Sequence, residues 1–186
     1  MTTSYLEIDL AMGPEPREHP APGMHIWGWM SSVELTWLHE QAQRMRSIVE
    51  VGSLRGRSAF ALLLGCKGPV YCIDPWEDPG NHAYTGFMEA CGHFPNVRPV
   101  KGYSPAVGDQ IPGDVDMVFI DGDHSYESIK ADVEYWLPRT RMLICGHDYS
   151  EEGGYPDVKR YVDEKFGPSI WVPARTSIWA WSGARP

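Results

Sequence analysis

The chain has 186 residues, 16 of them basic and 25 acidic, for a formal charge of −9. That length suits one domain with a sizeable core, and the acidic balance without any Lys/Arg run excludes a nucleic-acid backbone as the expected partner while leaving a small anionic substrate open. No apolar run approaches the ~20 residues of a membrane span, and the polar start lacks a signal-peptide core. Cys66, Cys72, Cys91 and Cys145 form no CxxC pair, which argues against a zinc site of that type, and Cys72 and Cys145 sit inside apolar strand-like runs, so a reducing, cytoplasmic setting is expected.

In chain order, residues 1–25 come first, with Pro14, Pro16, Pro20 and Pro22 beside Gly13 and Gly23. Proline at that density breaks helices and central strands, so the segment reads as an extended arm, and 26–186 as the single domain. "SSVELTWLHEQAQRM" opens with Ser31 and Glu34 in capping-box spacing and repeats Leu35, Leu38, Ala42 and Met45 at helical spacing. Strand and helix then alternate. "SIVEVG" is a strand and "RSAFALLLG" a helix. "PVYCID" is a strand and "YTGFMEACGHF" a helix. "VRPVKG", split by Pro99, is a weaker strand. "DMVFID" is a strand and "SYESIKADVEYWL" a helix, and "RMLICGHD" is a strand followed by the helix "PDVKRYVDEKFG". "SIWVPA" and "TSIWAWSG" close the chain as two short strands with no helix between them, hence an antiparallel hairpin. The pattern predicts an α/β fold: a Rossmann-like, doubly wound, mostly parallel sheet of about seven strands with helices on both faces.

In such sheets ligands bind beyond the carboxyl ends of the strands. The first strand is followed by Glu50, Gly52, Ser53 and Gly56, with Ser58 opening the next helix. The second ends in Asp74 and Trp76. The third is followed by Gly102, Tyr103 and Ser104, the fourth by Asp121, Asp123 and His124, and the fifth by His147, Asp148 and Tyr149. Gly52 and Gly56 let a ligand approach the backbone at a helix N-terminus. Their spacing departs from GxGxxG, and Glu50 would repel a pyrophosphate but suit an ammonium or sulfonium. An acid at the position of Asp74 typically accepts from ribose hydroxyls. Trp76 is placed to flank a purine. Asp123 reads as the cap of the following helix. Trp27, Trp29, Tyr149, Tyr155 and Trp179 are candidates to stack on an acceptor or to pack in the core.

"VEVGSLRGRS", "CIDPW", "KGYS", "DMVFIDGDHSYESIKADVEYWLP" and "LICGHDY", in this order, resemble class I S-adenosylmethionine-dependent methyltransferases. The resemblance runs from about Ile26 to Trp181 and is closest to the metal-dependent O-methyltransferase branch that includes macrocin- and mycinamicin-type sugar enzymes. It implies that Glu50, Gly52, Ser53, Gly56 and Ser58 meet the methionine part of the cofactor and that Asp74 holds the ribose. It implies too that Ser104, behind Gly102 and Tyr103, meets the adenine. Asp121, next to the cofactor, would ligate a divalent cation such as Mg²⁺ together with His147 and Asp148, and His124 would be the general base. The branch usually carries an acid or amide where this chain has His147, so that imidazole is read either as a ligand or as a support behind one. The expected lid is the N-terminal arm, "EDPGNHAY", "SEEGGY" or another subunit, a homo-oligomer being left open.

The resemblance thus implies an O-methyltransferase acting on a hydroxyl of a small molecule, a sugar or natural product. A non-catalytic cofactor-binding module and a nicotinamide-dependent oxidoreductase are the alternatives.

Overall fold

The computed structural model of the protein describes residues 20–77, 82–150 and 154–183. Most of the expected arm, and the centres of the two loops named as lids, lie outside them. Helix α1 (Ser32–Ala42) is closed by the capping box read from the sequence: Glu34 N donates to Ser31 Oγ at 3.3 Å, and Ser31 N donates back to Glu34 Oε2 at 2.8 Å. Strands β1 (Ile48–Val51), β2 (Val70–Asp74) and β3 (Val97–Lys101) alternate with α2 (Arg57–Gly65) and α3 (Ala83–Cys91). Then follow β4 (Val115–Ile120), α4 (Tyr126–Trp136), β5 (Thr140–Gly146), α5 (Pro156–Phe166) and β6 (Trp179–Trp181).

The sheet has six strands in the order β3-β2-β1-β4-β5-β6, parallel except where β6 runs against β5. The order reverses between β1 and β4, which are paired in register as Glu50 with Phe119 and Val51 with Ile120. Two adjacent strand ends whose chains leave toward opposite faces leave a crevice between them.

Side chains alternate across the sheet. Met117 and Phe119 join the core under α1, α2 and α3 with Leu35, Leu38, Leu62 and Phe87. Val118 and Ile120 face the other way, into the core under α4 and α5 with Val133, Trp136 and Val162. Helices therefore cover both faces, as the alternation predicted. Pro99 is tolerated because β3 is an edge strand, where a missing N–H costs no ladder bond.

Two details differ from the sequence reading. The expected closing hairpin shrinks to a single bridge, Trp171 with Ala180, so the sheet has six strands rather than about seven. Pro173 lacks a donor to extend that bridge, while β6 gains a full antiparallel partner in β5. The cap of α4 is Ser125, whose hydroxyl accepts from Ser128 N. Asp123 instead forms the turn ahead of it, accepting from Ser125 N at 2.7 Å.

Candidate active site

A cavity of about 420 Å³ opens at the carboxyl ends of β1, β2, β4 and β5. The loop after β1 forms one wall. Gly52 (φ 90°) brings the ends of β1 and β4 so close that a Cβ there would lie 2.0 Å from the carbonyl oxygen of Asp121. Gly56 (φ 89°) starts α2, and a Cβ there would meet Cys91 Sγ at 2.6 Å. Both glycines are thus required by φ and by space. Between them Leu54 is also left-handed, at φ 44°.

Of the residues expected to bind a cofactor, Gly52, Ser53, Ser58, Asp74 and Asp121 line the cavity. Glu50 is fully buried in the same strand-loop unit. Its Oε2 accepts from Ser53 Oγ at 2.5 Å, while Oε1 has no hydrogen-bond partner among the described residues. Burial pushes its carboxyl up to about 7, with Ser53 and Ser58 pulling back and Asp121 and Asp74 adding to the rise. Asp74 accepts from Leu54 N at 2.9 Å and from Trp76 N at 2.8 Å, so it also ties the two loops together.

The structure does not bring Trp76, Gly102, Tyr103 or Ser104 into the cavity wall. Trp76 is buried against Phe87 and Tyr84, with its indole N–H on Leu54 O at 2.8 Å. Tyr103 is exposed and donates to Glu77, and Ser104 accepts from Trp136 Nε1 at 2.9 Å.

Strands β4 and β5 deliver the charged cluster. Asp121 N donates to Val51 O at 2.8 Å and His147 N to Ile120 O at 3.0 Å, so the strand ends are fixed before the side chains diverge. Asp148 takes the left-handed conformation, φ 61°, which Asp adopts more readily than most residues. Both imidazoles reach the same oxygen, Asp148 Oδ2: His124 Nε2 at 2.7 Å and His147 Nδ1 at 3.3 Å. His147 Nδ1 is also 3.7 Å from Asp121 Oδ1. Asp121, His124 and Asp148 each offer a ligand atom, all within 4.8 Å of one another. Two carboxylate oxygens with an imidazole nitrogen, on half-buried side chains, suit a divalent cation.

The electrostatics follow from these contacts. Burial raises Asp121 to about 7, against the pull of His147. Asp148 is held well below the carboxylate range, its burial outweighed by hydrogen bonds from His124 and His147. His124 is raised by its bond to Asp148. His147 rises to about 10, because bonds to Asp148 and Glu34 overcome its burial, and Glu34 falls to about 2 although burial opposes it. Tyr155 stacks on His124 with ring centroids 3.8 Å apart.

Residues 24–30 form the rim. Arg57 binds this segment, donating to Ile26 O at 2.5 Å and to Met30 O at 2.7 and 2.9 Å. Trp27 and Trp29 line the cavity yet are 56% and 77% exposed, their rings 4.6 Å apart. Arg55 lies over Trp27 at 5.4 Å. Of the five aromatic candidates, Trp179 is core and Tyr149 is turned to Asp163, leaving Trp27, Trp29 and Tyr155 at the cavity. The sequence reading passed over Arg55 and Ser177, and it took Glu34 only as a capping residue.

A family model described as "Methyltransferase domain" matches residues 49–149, more than half of the chain. The chain belongs to this methyltransferase-domain family. The match begins at β1 and ends just beyond Asp148, so it contains both strand ends that carry the charged cluster. An uncharacterised protein of Acanthamoeba polyphaga mimivirus, R132, is 30% identical over 138 residues, covering 70% of this chain and 58% of its own. Another, y4gI of Sinorhizobium fredii (strain NBRC 101917 / NGR234), is 28% identical over 129 residues, 60% of this chain and 14% of its own. The chain thus spans under two thirds of the length of these curated relatives. Among solved structures, the O-methyltransferase from Bacillus cereus in complex with SAH superposes with a TM-score of 0.63 at 20% identity, covering 83% of each chain. The O-methyltransferase TomG from Streptomyces achromogenes, in complex with SAM, gives 0.62 at 17% identity, covering 84% of this chain and 82% of its own. At these identities the likeness is one of fold.

Proposed function

We propose that the protein transfers a methyl group from S-adenosylmethionine to a hydroxyl of a small molecule, assisted by a divalent cation. The observation that carries the reading is one cavity, at the reversal of strand order, lined both by the glycine loop with Asp74 and by the Asp121–His124–Asp148 cluster. Neighbouring SAH- and SAM-bound folds support the cofactor, and the motif likeness to macrolide-sugar enzymes favours a sugar or natural-product acceptor.

In this reading Gly52, Ser53 and Ser58 border the methionine end, and buried Glu50 offers its unpartnered oxygen to the positive end of the cofactor. Asp74 keeps lone pairs for ribose beyond the two backbone donors it already serves. Asp121, Asp148 and an imidazole would hold the cation, which when bound lowers the pKa of a hydroxyl beside it. His124 Nε2 donates to Asp148 Oδ2 at 2.7 Å, which leaves Nδ1 to take the hydroxyl proton, with Tyr155 stacked on the ring to fix its plane. Trp27 and Trp29, packed edge to face at 68°, give the acceptor an angled apolar corner at the rim.

Calorimetric titration with S-adenosylhomocysteine, with NAD and with Mn²⁺ tests this. Binding of S-adenosylhomocysteine and Mn²⁺ but not NAD is expected. Asp148→Ala should keep the first and lose the second. Binding of NAD alone would replace the reading with an oxidoreductase, and Mn²⁺ uptake undiminished in Asp148→Ala would remove the cation from this cluster.

A further inference from the structure

A capping-box glutamate needs one oxygen for its task, and in Glu34 that oxygen is Oε2, which accepts from Ser31 N at 2.8 Å and Ser31 Oγ at 2.9 Å. The other oxygen faces away from the helix start. Oε1 accepts from Ser177 N at 2.9 Å and Ser177 Oγ at 3.1 Å, and lies 3.2 Å from His147 Nε2. The assembly is nearly closed to water, with Glu34 and His147 side chains 8% and 11% exposed. It joins three distant segments: the start of α1, the end of β5 and the run into β6.

The arrangement fixes where the imidazole carries a proton. An ionised carboxylate only accepts. Ser177 Oγ spends its hydrogen on Oε1, so toward Nε2, 3.0 Å away, it turns a lone pair. Both neighbours of Nε2 therefore accept, and Nε2 must donate. The opposite nitrogen, Nδ1, faces two more carboxylate oxygens, Asp148 Oδ2 and Asp121 Oδ1, so it donates to them until a cation between them displaces its proton and takes its lone pair.

We propose that Glu34 is a positioning residue: through Oε1, with Ser177, it locks His147 in the orientation that aims Nδ1 at the Asp121–Asp148 cluster as a further ligand atom for the cation. The inference rests on the cation reading given under Proposed function. A carboxylate behind an imidazole fixes the ring and raises its basicity as a ligand, and losing such a support typically lowers metal affinity ~10–100-fold. Ser177 holds the same oxygen from the other side, so the run into β6 takes part in the site although none of its described residues lines the cavity.

The test compares Glu34→Gln with Ser31→Ala, both measured for Mn²⁺ affinity by calorimetry and for the His147 ring by nitrogen NMR. Ser31→Ala breaks the same capping box but leaves Oε1 in place. The expected result is a fall in Mn²⁺ affinity of about 10–100-fold in Glu34→Gln, with loss of the Nε2–H signal, and near-unaltered affinity in Ser31→Ala. Equal affinities in Glu34→Gln and the unaltered protein would overturn the proposal, as would an equal loss in Ser31→Ala, which would reduce Glu34 to a helix cap. Should Glu34→Gln fail to fold, Ser177→Ala takes its place, with a smaller fall in the same direction expected and no change overturning the inference. If the unaltered protein takes up no Mn²⁺, the cation reading falls and takes the ligand role of Nδ1 with it. The ring signals then show separately whether Glu34 holds Nε2–H.

Discussion

Glu50 is a carboxyl placed where the bare protein can scarcely keep it charged. It is buried in β1 with one oxygen on Ser53 and the other without a hydrogen-bond partner among the described residues, and its pKa rises to about 7 from an ordinary 4.5. The folded state therefore binds the proton more tightly than the unfolded chain. Stability from this group is full below the unfolded value and is lost as pH rises from about 4.5 to about 7, by on the order of 3 kcal/mol. Glu50→Gln should flatten this part of the stability–pH curve, so that it melts higher than the unaltered protein at pH 8 and about equally at pH 4.5. It should also bind S-adenosylmethionine more weakly, because a neutral amide cannot balance a sulfonium or ammonium charge. Parallel thermal melts across that pH range check the first claim, and a curve as steep as before would contradict it. At His124 the sequence reading and the cluster geometry favour different roles. As the base, His124→Ala should lose ~10²–10⁴-fold in turnover while keeping Mn²⁺ affinity. A fall in Mn²⁺ affinity as large as that of Asp148→Ala would make it a ligand instead.

At the scale of elements, the rim segment 24–30 has no regular secondary structure and is placed largely by one side chain. Arg57, in the first turn of α2, donates to the carbonyls of Ile26 and Met30 from both the fork and Nε. A planar guanidinium spreads its donors over a rigid fork that spans both carbonyls, whereas an ammonium gathers three donors at one point. Arg57→Lys should therefore lower stability by on the order of 1–3 kcal/mol and weaken S-adenosylhomocysteine binding, since Trp27, Trp29 and Met30 share the cavity wall with Gly52 and Ser53. Unchanged melting temperature and unchanged affinity in this variant would show that the rim stands without it. The same scale explains why some sequence assignments moved. Trp76 follows β2 where a purine-flanking residue was expected. Yet Trp76 has φ 44°, and its indole turns into the core to meet Leu54 O. A left-handed residue after a strand reverses the side chain's direction, and nothing in "DPWED" signals that reversal.

For the whole molecule, the sequence by itself determined the alternation of strand and helix, because periodicity and turn residues are local properties. It determined that polar and glycine residues follow each strand, and so that chemistry collects at one edge of a parallel sheet. The motif likeness pointed to a methyltransferase, the family that the match over residues 49–149 shows. Tertiary structure alone decided which of those strand ends meet. The order β3-β2-β1-β4-β5-β6 sets β1 beside β4 and β4 beside β5, which brings Gly52 against Asp121 and both imidazoles onto one oxygen of Asp148. Glycine and serine residues after β3 look no different in sequence from those after β1, yet β3 lies at the far edge and its Tyr103 and Ser104 stay off the cavity wall. Glu34 shows the same limit from the other side. Its capping box was legible three residues at a time, but its second oxygen meets His147, 113 residues away, and Ser177, 143 residues away. Such contacts exist only once long loops have closed. They are fixed by packing of the whole chain rather than by any local preference, and a single sequence carries no mark of them.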